Sequence, residues 1–161
     1  MQDKLSLNAF QLKLLAAALM LIDHIGYLLL PEITVLRLVG RLSFPLFAFM
    51  VANGYRHTAS LNRYMLRLAV FALCFQPLYA LCMSTTRLNI FATLFLGLLA
   101  IRAYQALRLR LGGIPGLIAG SAAALLVAVS AQVFKADYGF YGVGLILTAY
   151  LFFDHPLPLC C

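Results

Sequence analysis

Charge is scarce in this sequence. Its 161 residues include 12 Lys or Arg and 5 Asp or Glu, so charged residues make up 11% of the chain, whereas soluble domains carry about 25%. Apolar residues make up 64% of the chain. A soluble domain of this size buries only about two-thirds of its chain surface, so it could not bury that much apolar surface. A soluble globular domain and a disordered chain are therefore excluded. The net charge of +7 is too dispersed to form one basic stripe, which argues against nucleic-acid binding.

Other common features are also missing. No segment alternates apolar and polar residues with a period of two, as the strands of a membrane barrel would. No long linker or low-complexity segment divides the chain, so residues 1–161 are expected to form a single domain. The four cysteines, which include the terminal pair Cys160 and Cys161, are too few for a disulfide framework and lack the spacing of metal ligands. No metal is expected.

Long apolar runs dominate what remains. The first run is longer than the apolar core of a signal peptide and contains Lys13, Asp23 and His24, so we expect it to stay in the membrane. A helix needs about 17–25 mainly apolar residues to cross a bilayer. The sequence therefore predicts an all-α, polytopic membrane bundle with six spans, at about 10–30, 35–55, 66–85, 88–105, 114–134 and 138–153, the last one short.

The basic residues of the connections predict the orientation. Eight of them fall in the N-terminus and the second and fourth connections, namely Lys4, Lys13, Arg56, Arg63, Arg67, Arg102, Arg108 and Arg110. The first, third and fifth connections hold only Arg37, Arg87 and Lys135. Because cytoplasmic loops are enriched in Lys and Arg, both termini are predicted to be cytoplasmic. For Arg102, Arg108 and Arg110, the simplest explanation is that they only set the membrane topology and have no further role.

Five ionisable residues lie within the first two spans: Lys13, Asp23, His24, Arg37 and Arg41. Each costs about 2.5–3.5 kcal/mol on insertion scales, and such residues usually face the bundle interior and mark function. Lys13 and Arg37 are near helix ends and could instead extend to the interface. An ion pair between Arg41 and Asp23 would neutralise both residues without excluding a functional role. Pro45 is expected to kink the second span.

Lys13 and His24 are eleven residues apart, about 3.06 helical turns, so their side chains project from nearly the same face. The helical rise between them is about 16 Å. A cation at the inner surface and an imidazole deep in the bilayer suit a long ligand with an anionic head and a reactive tail.

Three further groups of polar residues are candidates for binding. Arg56, Arg63 and Arg67 could bind phosphate, or could serve topology only. Asn89 and Thr93 are one helical turn apart and could bind a substrate, or could form hydrogen bonds between helices. Tyr138 and Tyr141 beside Asp137 fit an interfacial aromatic belt, which does not explain Asp137 itself.

Four motifs in order resemble the TraX family: LKLLAAALMLIDHIGYLLLP at 12–31, GRLSFPLFAFMVANGYRHT at 40–58, RLNIFATLFLGLLA at 87–100 and DYGFYGV at 137–143. The family is named for the membrane acetyltransferase that caps the N-terminus of F-type pilin. It is similar to wider membrane acyltransferases with an Arg/Lys-x10-His motif, whose spacing Lys13 and His24 match. Members are usually longer, so this chain resembles a shortened one. The resemblance implies a bacterial inner-membrane location.

The resemblance implies acetyl transfer from cytoplasmic acetyl-CoA to an amine, such as a pilin N-terminus, in which Lys13 helps to position the donor and His24 takes part in the transfer. The other charged and polar residues suggest how the reaction could proceed. Lys13, Arg56, Arg63 and Arg67 would hold the CoA phosphates. His24 would act as general base or be transiently acetylated, because an imidazole titrates near neutral pH. Asp23 or Asp137 could orient His24, Arg41 could polarise the thioester carbonyl, and the acceptor would meet Asn89, Thr93, Asp137, Tyr138 and Tyr141. The alternative is a non-enzymatic transporter or a pilus or secretion assembly factor with a structural Asp/His/Arg cluster.

Overall fold

The computed structural model describes residues 9–154 and the side chains of residues 10–152. Within that part of the chain every regular element is a helix, which confirms the predicted all-α class. Lys4, His155, Cys160 and Cys161 lie outside the described residues. The helices are α1 (Ala9–Leu28), α2 (Thr34–Gly40), α3 (Ser43–His57), α4 (Leu61–Met83), α5 (Ile90–Leu111), α6 (Gly113–Val133) and α7 (Gly139–Asp154).

Five segments are long and apolar enough to cross a membrane: Phe10–Leu28, Thr34–His57, Leu61–Met83, Ile90–Leu111 and Gly113–Val133. The apolar part of α7, Gly139–Phe152, is shorter, as predicted for the last span. Many large apolar side chains on α4 and α6 are exposed, among them Leu73, Leu81 and Leu126. Such faces suit contact with lipid, so the protein is a multi-pass membrane protein.

The second span differs from its prediction as one continuous helix. It divides into α2, which ends at Gly40, and α3, which begins at Ser43. Pro45 falls in the first turn of α3, where its missing N–H costs no helical hydrogen bond. The predicted kink at Pro45 is therefore wrong in position, and the break lies at Arg41 and Leu42.

Two other helix boundaries correct the sequence prediction. Helix α4 begins at Leu61 rather than near 66, so Arg63 lies within its first turn. Helix α5 continues to Leu111 rather than ending near 105, which places Arg108 and Arg110 in its last turn rather than in a connection. Leu and Arg are good helix formers, and basic residues near a helix C-terminus are favoured by the helix dipole, which explains why the chain stays helical there.

The chain forms two compact units, which divide between Phe47 and Ala48 inside α3. In the first unit, α1 and α2 pack closely through two glycines. A Cβ atom at Gly40 would lie 2.4 Å from Asp23 Cβ and 2.5 Å from its Cα, and one at Gly26 would lie 2.9 Å from Leu36 Cβ. Glycine at these positions lets the two helix backbones approach each other.

We expect Gly40→Ala to destabilise the protein by about 1–3 kcal/mol, the usual range for overpacking. The added methyl group would collide with backbone atoms of Asp23, which cannot rotate away as a flexible side chain would. Thermal unfolding in detergent measures the effect. Gly144→Ala is the matched control, because nothing lies within 4 Å of a Cβ atom at Gly144. Equal unfolding temperatures for the two variants would contradict the close packing of α1 and α2.

In the second unit, α5 packs against α4, α6 and α7. Its core side chains include the fully buried Leu98 and Ile101, which share the interior with Val143 and Ile146 of α7. Phe91 of α5 stacks with aromatic rings of α4, 5.7 Å between centroids. On the other side, small residues of α6 allow close contact with the α5 backbone: Gly116 with Arg108 and Gly120 with Tyr104.

The helices of this unit alternate in direction, which produces two polar ends. At one end the α4–α5 connection meets the α6–α7 connection, where Leu88 N–H donates to the Lys135 carbonyl at 3.1 Å; this is the Asp137 end. The other end, which we call the Arg56 end, is where α3, α5 and α7 end and α4 begins. The Arg102 guanidinium donates there to Asn62 Oδ1 at 2.8 Å, which ties α5 to the start of α4.

Candidate functional site

Helix α1 carries the predicted stripe of Lys13 and His24. The helix is unbroken from Ala9 to Leu28, so the two side chains project from nearly the same face, about 16 Å apart along the axis. Lys13 is exposed and His24 is half-buried. A cationic group and an imidazole therefore lie on one face of one rigid element.

One hydrogen bond fixes the imidazole of His24. Its Nδ1 lies 2.7 Å from the Met20 carbonyl oxygen, one turn earlier in α1. A carbonyl oxygen can only accept, so Nδ1 carries the proton, and in the neutral ring Nε2 then holds the lone pair. This is the tautomer that a general base or an acyl acceptor requires.

In the part of the chain that the structure describes, the carboxylate of Asp23, next to His24 in the sequence, does not form the hydrogen bond to His24 or the ion pair with Arg41 that the sequence suggested. Adjacent residues of a helix project about 100° apart, and the orienting partner of His24 is Met20 rather than Asp23. Asp23 Oδ1 is buried and has no hydrogen-bond partner among the described residues. Arg41, exposed at the end of α2, does not form the ion pair with Asp23 within residues 9–154.

Arg37 has an aromatic partner that the sequence did not indicate. Its guanidinium carbon lies 4.8 Å from the ring centroid of Tyr27, a cation–π contact. Its Nε is buried without a hydrogen-bond partner in the described part of the chain. The first unit thus holds a buried carboxylate oxygen and a buried guanidinium nitrogen, neither of which has a hydrogen-bond partner among residues 9–154.

The Asp137 end gathers several predicted substrate-binding residues. The Tyr79 hydroxyl donates to Asp137 Oδ1 at 3.1 Å. Gln76 bridges the α4–α5 connection, because its Nε2 donates to the Arg87 carbonyl at 2.8 Å and its Oε1 accepts from Asn89 N–H at 2.9 Å. Tyr79 and Gln76 were missed by the sequence analysis, since single polar residues in an apolar helix give no periodic signal.

Asn89 forms hydrogen bonds that hold helices α4 and α5, and Thr93 is buried in the core. Asn89 is the N-cap of α5, where its Oδ1 accepts from Ala92 N–H at 3.2 Å. Its Nδ2 donates to the Ala72 carbonyl of α4 at 2.7 Å, a hydrogen bond between helices. Thr93 is fully buried, and its Oγ1 has no partner among the described residues. Near the start of α7, Tyr138 is half-buried and Tyr141 is exposed.

The Arg56 end contains an open pocket of about 490 Å³ that the sequence did not predict as a unit. Tyr55, Arg56, Gln105 and Tyr150 line it. Arg56 was a predicted phosphate ligand; the other three come from α3, α5 and α7, and only the packing of these helices brings them together. Arg63 and Arg67, exposed on α4, are not among the lining residues.

The arrangement defines a class: a polytopic helical membrane protein with ionisable groups inside its spans and polar clusters at both ends of a helical unit. The family model described as TraX protein matches residues 8–160, so the chain belongs to the TraX family.

Two curated relatives are similar to parts of the chain. One is "Probable fimbrial assembly protein FimC, serogroup H1" of Dichelobacter nodosus, 31% identical over 159 residues, which cover 89% of this chain and 62% of that protein. Another is "Uncharacterized protein RP591" of Rickettsia prowazekii (strain Madrid E), 46% identical over 44 residues, which cover 27% of this chain and 18% of that protein. The chain thus spans less than two-thirds of the length of either relative. No solved structure matches it.

Proposed function

We propose that this protein is a membrane-bound N-acetyltransferase that moves an acetyl group from acetyl-CoA to an amine. The amine nitrogen bonds to the carbonyl carbon and the C–S bond breaks. The amine proton passes to His24 Nε2, and the sulfur leaves as a thiolate that takes up a proton. The observation that carries the proposal is the Lys13–His24 stripe, with a lone pair on Nε2, in a chain of the TraX family.

The proposed chemistry is assigned to residues of the first unit. In the first unit, Lys13 attracts the donor's phosphates, His24 accepts the proton or is transiently acetylated at Nε2, and Arg41 polarises the thioester carbonyl. Asp23 counters the positive charge that develops on the imidazole. In the second unit, Arg56, Arg63 and Arg67 lie at the end that is predicted to face the cytoplasm, and binding of phosphate by these cations is a separate part of the proposal.

The acceptor is proposed to be the N-terminus of a pilin subunit. The name of the Dichelobacter relative as a fimbrial assembly protein supports a pilus-related role. Within the second unit, the acceptor site is assigned to the Asp137 end, where a carboxylate and two tyrosines could bind a cationic chain terminus. The residues proposed for this site are Asp137, Tyr138 and Tyr141, together with Asn89 and Thr93.

A second candidate is a non-enzymatic assembly factor for the pilus. The same relative's name is compatible with it, and in that case Asp23, His24 and Arg41 would serve structure only. Binding of CoA distinguishes the two functions, because an assembly factor has no need of an acyl donor.

We expect acetyl-CoA to raise the unfolding temperature of the purified protein. A ligand present at 100 times its Kd stabilises the folded state by about 2.7 kcal/mol. At the same concentration the shift should be smaller in Lys13→Ala. The control variant Arg110→Ala, which removes another exposed cation at the end of α5, should retain it. A wild-type protein that shows no shift would favour the assembly factor.

Topology in the proposed inner membrane gives a separate prediction. In a background in which all four native cysteines are replaced, Glu32→Cys and Arg87→Cys should react with a membrane-impermeant maleimide added to cells whose inner membrane is intact. Ser60→Cys, in the connection between α3 and α4, should react only after that membrane is opened. The reverse pattern would place the termini outside.

A further inference from the structure

The pocket at the Arg56 end combines an open volume with a distinctive set of side chains. Its volume of about 490 Å³ falls in the range of small-molecule sites, about 300–1,000 Å³. None of the described residues that line it is acidic, and its side chains offer a guanidinium, two phenol rings and an amide. An anionic ligand that also carries a flat ring fits this combination.

Arg56 is supported by a buried aromatic ring. Its guanidinium carbon lies 5.4 Å from the ring centroid of Tyr150. Tyr150 is only 3% exposed, and Tyr55 packs edge-on against it, 5.5 Å between centroids at 78°. An arginine held in this way keeps its planar group in one orientation, so less side-chain entropy is lost when a phosphate binds.

The remaining side chains provide directional hydrogen bonds. The Tyr55 hydroxyl donates to Gln105 Oε1, which leaves the Nε2 of Gln105 as a donor and the Tyr55 oxygen as an acceptor. A heterocycle with both donors and acceptors on its edge can satisfy these groups, and a guanidinium plane can stack on such a ring.

We infer that this pocket binds a phosphorylated nucleotide, with a phosphate on Arg56 and the base against Arg56, Tyr55 and Gln105. The identity of the nucleotide as the adenosine 3′-phosphate of CoA rests on the proposed function. The pocket itself rests on the geometry of α3, α5 and α7. It adds Tyr55, Gln105 and Tyr150 to the binding residues.

Titration calorimetry with adenosine 3′,5′-bisphosphate tests the inference on the whole purified protein. This probe has no thioester and no pantetheine arm, so it reports on the nucleotide pocket alone. We expect Arg56→Ala to weaken its binding at least about tenfold, the loss typical of a hydrogen bond to a charged group. Arg56→Lys, which keeps the charge but loses the planar fork, should also bind less tightly. Arg110→Ala should bind as the wild type does.

The possible outcomes separate this inference from the proposed function. Bisphosphate and acetyl-CoA that both bind less tightly to Arg56→Ala would support the pocket. Acetyl-CoA that binds equally to the wild type and Arg56→Ala would overturn the pocket and leave the acetyltransferase standing. If Arg56→Ala weakens binding of the bisphosphate but the wild type transfers no acetyl group, the pocket is supported and the proposed acetyltransferase function is overturned. Inorganic phosphate that binds as tightly as the bisphosphate would contradict recognition of the base.

Discussion

Replacement of His24 by glutamine is expected to reduce acetyl transfer by about 10²–10⁴-fold, the contribution typical of a general base, or by more if the imidazole is itself acetylated. Glutamine can still donate a hydrogen bond toward the Met20 carbonyl, but it cannot take up a proton near neutral pH. Binding of acetyl-CoA and the unfolding temperature should therefore remain close to those of the wild type. Steady-state rates and calorimetry on the same preparation measure the three quantities.

The chain offers a matched control in His57. Its Nδ1 lies 3.0 Å from the Asn53 carbonyl oxygen, the same one-turn contact that His24 makes with Met20. His57 is exposed at the end of α3, so His57→Gln should transfer acetyl groups at the wild-type rate. Near-normal transfer by His24→Gln would show that its imidazole is a packing group.

Replacement of Asp137 by asparagine is expected to lower kcat/KM for the acceptor by about 10–100-fold, because a hydrogen bond to a charged group contributes about 1.5–3 kcal/mol. The KM for acetyl-CoA should not change. Asparagine keeps an oxygen that can accept from the Tyr79 hydroxyl, so the helix connection should stay intact. Kinetics with varied acceptor peptide at saturating acetyl-CoA measure the effect.

Tyr79→Phe separates acceptor binding from local structure. It removes the hydroxyl that donates to Asp137 and keeps the carboxylate. If Asp137 binds the acceptor, Tyr79→Phe should have a much smaller effect on kcat/KM than Asp137→Asn. If kcat/KM and the unfolding temperature fall by similar amounts in the two variants, Asp137 stabilises the α6–α7 connection and does not bind the acceptor.

Local sequence signals were enough to predict most helices, because long apolar runs between polar turns need no tertiary information. The boundaries predicted for α1, α6 and α7 agree with the structure to within about two residues. The break between α2 and α3 was misplaced because proline is a strong local signal. The contact of Gly40 with Asp23 on α1 depends on tertiary packing and cannot be read from sequence.

Some residues of the candidate site could likewise be predicted from local sequence, whereas others are brought together only by the packing of helices. The Lys13–His24 stripe was predictable because one helix sets the relation between its residues. The pocket of Tyr55, Arg56, Gln105 and Tyr150 was not, because its residues are separated by up to 95 positions and meet only through packing. Asn89 illustrates the opposite case: a polar residue at helical spacing from Thr93 acts as an N-cap and interhelical donor.

The measurement that tests the central claim most directly is mass spectrometry of a peptide with a pilin N-terminus, incubated with acetyl-CoA and the purified protein. The account predicts that the wild type adds one acetyl group to the α-amine of the peptide, that His57→Gln does the same, and that His24→Gln adds almost none in the same time. A peptide left unmodified by a wild-type protein that binds acetyl-CoA, or modified equally by His24→Gln, would contradict it.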